Sequence, residues 1–90
     1  MREVFEHRQV QKRLRKLPDE IVKRYEKWKD VVEISGPAGL RLIRGFRDES
    51  LRGRWNGHRS SRLGDQYRVI YRIEKKKLYV MVVDVTAHDY

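Results

Sequence analysis

Residues 52–73 read RGRWNGHRSSRLGDQYRVIYRI, and the alternation within them decides the fold. In 67–73 one set of alternate positions holds Tyr67, Val69, Tyr71 and Ile73, and the other holds Arg68, Ile70 and Arg72. Successive side chains of a strand point to opposite faces, so this is a strand with one apolar and one basic face. GDQ before it is a tight-turn signal, which makes 53–63 and 67–73 the two arms of a hairpin. The first arm adds either His58, Ser60 and Arg62 or Arg59, Ser61 and Leu63 to the basic face, depending on register.

Outward from the hairpin, Lys75, Lys76 and Lys77 form the next turn and 78–85 the last strand. On the other side, residues 40–46 (LRLIRGF) fit a short strand or a loop. Before them the period changes. Ile21, Tyr25, Trp28 and Val32 follow helical spacing to about Ile34, opened by Pro18-Asp19-Glu20 and stopped by Ser35-Gly36-Pro37. Val10, Leu14 and Leu17 mark an earlier helix from Arg8 that Pro18 ends, and residues 1–6 fit a first short strand. The expected fold is therefore α+β, in the order β-α-α-β-β-β. The two N-terminal helices pack on one face of a small antiparallel sheet and leave the other face partly open. Residues 1–90 are expected to form a single domain, because a chain this short cannot enclose a second core.

Charge separates the segments. The chain carries 22 Lys and Arg against 13 Asp and Glu, for a formal +9. Residues 41–72 hold nine basic side chains against three acids, and all nine are arginine (41, 44, 47, 52, 54, 59, 62, 68 and 72). Guanidinium is a rigid fork of donors that matches phosphate oxygens, whereas lysine would suffice for solubility. A concentrated arginine field points to a polyanion, nucleic acid ahead of an acidic protein or a membrane surface; an ordinary basic surface is the plain alternative. There is no cysteine, and His7, His58 and His88 lack metal-ligand spacing, so no metal site is expected. The longest apolar run, LYVMVV at 78–83, is far short of the roughly 20 residues of a membrane span. The opening MREVFEHR is charged where a secretory leader is apolar. These features lead to the expectation of a soluble, cytoplasmic protein without a membrane partner.

Two N-terminal helices, the 52–73 hairpin, a basic turn and a final strand running into AHDY resemble the RelE/ParE superfamily of type II toxins. The W-x-G-x-R spacing (Trp55, Gly57, Arg59) and the near-terminal histidine are most similar to the YafQ and YoeB branches. The resemblance implies a microbial RNase fold that cleaves mRNA in the ribosomal A site. Its chemistry is attack by a ribose 2′-hydroxyl on the adjacent phosphate, with no metal or other cofactor. It implies a cognate antitoxin and the ribosome, through ribosomal RNA and A-site message, as partners, with DNA reached only through the antitoxin.

Carried over position by position, the resemblance implies His88 as the proton-transfer group and Tyr90 as the terminal aromatic that stacks on a base or orients the phosphate. Arg62 and Arg68 then hold the scissile phosphate, and Glu49 stands nearest the position of a family general base. Gln66 replaces an aspartate of the YafQ branch and cannot exchange protons. Tyr67 is aromatic in both branches, although its alternation with Val69 also suits the core. His58 has no clear family counterpart. With Arg47, Arg54, Arg59 and Arg72 it is expected to contact RNA, where backbone contacts make binding salt-sensitive. Two other classes compete: a ParE-like gyrase inhibitor that performs no chemistry, and a basic RNA-binding relative without catalysis. One fold can host all three.

Overall fold

The computed structural model of the protein describes residues 3–74 and 79–87. In chain order it contains β1 (Glu3–Glu6), α1 (Arg8–Leu14), α2 (Asp19–Ser35), β2 (Glu49–Ser50), β3 (Arg59–Arg62), β4 (Arg68–Glu74) and β5 (Tyr79–Thr86). Short 3-10 turns at Pro37–Leu42 and Arg44–Phe46 link α2 to β2, and a third at Gly53–Trp55 precedes β3. The strands form one sheet in the order β1-β5-β4-β3-β2, antiparallel from β2 through β5. This is the expected α+β arrangement, with two additions: the two-residue edge strand β2, where no strand was expected, and a parallel pairing at the opposite edge. The edge strand β1 runs parallel to β5, pairing Glu3 with Tyr79 and Glu6 with Val82.

Both helices follow from local chemistry. Pro18 precedes α2 and Asp19 and Glu20 occupy its first turn, where the helix dipole favours negative charge. Gly36 ends it at φ 75°, a left-handed backbone open to glycine at little cost, and donates its N–H to the Val32 carbonyl at 2.8 Å. The stripe Ile21, Tyr25, Trp28 and Val32 is buried throughout. The first helix is shorter than its periodicity predicts. Beyond Leu14 the chain tightens, with Lys16 and Leu17 donating to the carbonyls three residues back. The residue before a proline disfavours helical backbone, so Leu17 cannot continue α1 into Pro18. Leu14 and Leu17 still pack against the core.

That core joins α1 and α2 to one face of the sheet through Val10, Tyr25, Trp28, Leu63, Val69, Tyr71 and Val85. The Trp28 ring stacks on Tyr25 at 5.9 Å and meets Tyr71 edge-on at 5.2 Å. Each fully buried large apolar side chain contributes about 1.5–3 kcal/mol, which is why this stripe organises the domain. A second set of contacts ties β1 to the helices. Glu6 accepts from Tyr25 Oη at 2.5 Å and from Gln11 Nε2 at 2.7 Å, and its carboxylate lies 3.4 Å from Lys29 Nζ. Burial alone would raise the Glu6 pKa, but these donors and the lysine charge hold it below the usual carboxylate value. No helix among the described residues is long and apolar enough to cross a membrane.

Candidate functional site

The hairpin register selects one of the two faces that the alternation left open. Ser60 pairs with Ile70 and Arg62 with Arg68, while Arg59 pairs with Tyr71 and Ser61 with Val69. Val69 and Tyr71 belong to the core beneath the helices, so Arg59 and Ser61 share their face. Ser60, Arg62, Arg68 and Ile70 take the opposite face, the open one in that it lies away from α1 and α2, although Ser60 and Ile70 are buried on it. On the flanking strands, Glu49 is the partner of Ser60 and Thr86 the partner of Arg68, which brings both to the same side.

On this face a Glu49 carboxylate oxygen lies 3.6 Å from Arg68 Nη1. Three residues to which the resemblance assigned roles, Glu49, Arg62 and Arg68, therefore share this face, with Glu49 beside Arg68 and Arg62 directly across from it. Directly opposed residues of an antiparallel pair have Cβ atoms about 4.5–5.5 Å apart, so both guanidinium groups can converge on one anion. Arg62 Nε is buried without a hydrogen-bond partner among the described residues, as are Ser60 Oγ and His58 Nδ1. Beyond Arg62, the hairpin end opens into a cavity of about 580 Å³ that Arg24, Gln66 and Tyr67 help to line.

The first hairpin arm is shorter than predicted. Gly53 and Gly57 adopt φ 67° and 88°, and between them the chain makes a 3-10 turn instead of extending the strand. This turn sets Trp55 beside His58, the rings edge-to-face at 5.4 Å, and Arg54 Cζ 5.9 Å from the Trp55 ring centre. Two residues ahead of Ser60, His58 belongs by alternation to the open face, at its β2 end.

Other expected contacts are placed elsewhere. Arg59 turns to the helix side, where its Nε and Nη2 donate to Asp48 at 2.9 and 2.8 Å. Tyr67 is half-buried and packs on the core. Arg72 lies on the open face near its β1 end, bound to Glu74 at 2.6 Å. Arg47 is exposed in the turn before β2 and has left-handed backbone, φ 42°. His88 and Tyr90 lie outside the described residues. Thr86, two positions before His88, stands across from Arg68, so the chain leaves β5 at the Arg62–Arg68 end of the sheet.

The sequence pattern did not single out Asp48. Its fully buried carboxylate also accepts from Ser61 Oγ at 2.8 Å and Tyr71 Oη at 2.5 Å. Burial opposes the charge on Arg59, yet the bond and charge of Asp48 raise its pKa. Burial and the same carboxylate push the Tyr71 hydroxyl upward. A signal was present in the sequence: only Asp48, Glu49 and Asp65 are acidic among the nine arginines of 41–72. No group of three or more His, Cys, Asp or Glu side chains able to hold a metal ion occurs among the described residues.

No family model matches the chain, and no curated protein sequence does. Solved structures do match it over nearly its whole length. The archaeal RelE–RelB complex from Pyrococcus horikoshii OT3 superposes with a TM-score of 0.74 at 28% identity, covering 96% of this chain and 93% of that one. The YoeB/ParE toxin from Agrobacterium tumefaciens gives 0.76 at 13% identity, with 97% and 99% covered. YafQ from E. coli strain BL21(DE3) gives 0.69 at 15% identity, with 98% and 94% covered. With these superpositions and the strand order above, the chain has the fold of the RelE-, YoeB- and YafQ-like toxins.

Proposed function

We propose that this protein is the toxin of a type II toxin–antitoxin pair and acts as a ribosome-dependent mRNA endoribonuclease. The observation that carries the proposal is the grouping of Glu49, Arg62 and Arg68 on the open face of the sheet. Cleavage by the neighbouring 2′-hydroxyl needs one group to accept its proton, one to protonate the departing 5′ oxygen, and cations on the phosphorane between them. Glu49 takes the 2′ proton as the O2′–P bond forms. Arg62 and Arg68 hold the charge that develops on the phosphoryl oxygens. His88 delivers the proton to O5′ as the P–O5′ bond breaks, and Tyr90 stacks on a neighbouring base. Arginine supplies the positive charge in this scheme, so it calls for no metal or organic cofactor.

Around the site, Arg54, Arg72 and the exposed Arg47 contact the backbone of message or ribosomal RNA, and His58 extends the same surface. The partner in the resting cell is an antitoxin whose acidic, extended segment covers the basic face in the cytoplasm. Two solved structures that match this chain are toxin–antitoxin complexes, RelE–RelB from P. horikoshii and YoeB–YefM from Staphylococcus aureus, which supports this reading.

The test is primer extension on a defined message, using purified protein and programmed ribosomes, with wild type beside His88→Ala and Arg68→Ala. Cleavage within the A-site codon that either substitution suppresses is the expected result. A message that stays intact with wild-type protein rejects the nuclease reading and turns attention to gyrase inhibition or simple RNA binding.

A further inference from the structure

We infer that Asp48 is a positioning residue for Glu49: its buried anchorage on the helix side of the sheet sets where the Glu49 carboxylate stands on the open side. The inference rests on the proposed function in treating Glu49 as part of the reacting site. Its geometric basis is independent of that.

The strand that carries Glu49 is only two residues long and lies at the sheet edge. A strand so short has almost no ladder of its own to fix it. The backbone before it is also unfavourable, because Arg47 is a non-glycine residue in the left-handed region at φ 42°, ψ 51°. Such a conformation persists when neighbouring contacts impose it, and the neighbour here is Asp48. Its side chain receives both Nε and Nη2 of Arg59, Ser61 Oγ and Tyr71 Oη. Arg59 and Ser61 sit on β3 and Tyr71 on β4, so the carboxylate is pinned to two successive strands of the sheet.

Neighbouring residues in a strand point to opposite faces. With Asp48 locked on the helix side, Glu49 is turned to the open side, opposite Ser60 and 3.6 Å from Arg68. The other end of the short strand is held by the Leu51 N–H, which donates to the His58 carbonyl at 2.9 Å. Glu49 itself is exposed and has no comparable bond network among the described residues, so its placement is inherited from the residue before it.

Asp48→Asn keeps the shape of the side chain but removes its charge and turns one acceptor into a donor facing donors. In the ribosome cleavage assay this variant is expected to lower kcat by about 10²-fold with KM little changed, the scale of a misplaced reacting group. Combined with Glu49→Gln, the same substitution is expected to add little. Equal losses from Asp48→Asn in the wild-type and Glu49→Gln backgrounds, or no loss in either, overturn the inference, since a merely structural residue acts regardless of what stands beside it. Hydrogen exchange provides a second readout: the Leu51 amide should exchange faster in Asp48→Asn, while the β4 amides keep their protection. If Asp48→Asn does not fold, Tyr71→Phe and Ser61→Ala remove one donor each, and the same non-additivity with Glu49→Gln is required of them. Should the wild-type protein cleave no RNA, the proposed function fails on its own. Leu51 exchange then decides this inference: acceleration upholds the anchorage, and no change rejects it.

Discussion

Arg62 and Arg68 stand directly opposite each other on β3 and β4, two fixed positive charges on one face of the sheet. Like charges so placed destabilise a strand pair by about 0.2–1 kcal/mol. Glu49 offsets part of this from the neighbouring edge, through Arg68. Arg62→Gln is expected to raise thermal stability at low salt while weakening RNA binding. Added salt should stabilise wild type more than the variant, because it screens the repulsion. Thermal unfolding at two ionic strengths reads the first effect, and a salt slope of RNA affinity reduced by about 1 reads the second.

Glu49→Gln separates catalysis from folding. The Glu49 side chain is 60% exposed and its pair with Arg68 is long, so its loss should change stability by less than about 1 kcal/mol. As a proton acceptor it should nonetheless be worth about 10²–10⁴-fold in cleavage rate. Single-turnover cleavage on programmed ribosomes, beside a denaturation curve of the same preparation, measures both.

Alkali should unfold the protein through two tyrosines. Burial, then the bond and charge of Glu6 at Tyr25 and of Asp48 at Tyr71, push both hydroxyls above the ordinary value near 10. Their neutral forms are favoured in the folded state. That contribution is complete below about pH 10 and is lost as the pH rises further, because the unfolded chain ionises first. Denaturant midpoints between pH 8 and 11 should fall beyond about pH 10, and Tyr71→Phe should flatten the decline. Tyr71→Phe should itself cost about 1 kcal/mol at neutral pH, since Asp48 keeps Arg59 and Ser61 as donors.

Acid acts at the other edge of the sheet. The Glu6 pKa is lowered, so the stability it contributes is present above the usual carboxylate value and fades as the pH falls through its folded-state value. Glu6→Gln should be less stable than wild type at pH 7 and should lose less on acidification to about pH 3. Thermal midpoints across that range check both parts.

The parts of the fold legible in sequence were those with a short period. The stripe Ile21, Tyr25, Trp28 and Val32 is the buried side of α2, and Val69 and Tyr71 face the helices as their alternation required. What escaped depends on residues distant in the chain. The parallel pairing of β1 with β5 joins segments more than seventy positions apart and leaves no local mark. Ile70, assigned to the basic face, is there but only 1% exposed, which alternation cannot foresee. At the site, the resemblance pointed to Arg62 and Arg68, and the charge of residues 41–72 to all nine arginines alike. Charge could not distinguish Arg59, which has the same chemistry and one strand position's difference in facing, and which Asp48 occupies.

The pairing of β1 with β5 also bears on how the protein is made. The strand β1 must wait for β5, since Glu3 has no partner in this register until Tyr79 has been made. The Glu6 contacts can form with α1 and α2 alone, but closure of the sheet at that edge comes only once β5 is in place. Contacts between such distant positions form slowly and late. The hairpin that carries Arg62 and Arg68 pairs locally and can thus form before the sheet is closed at its β1 edge.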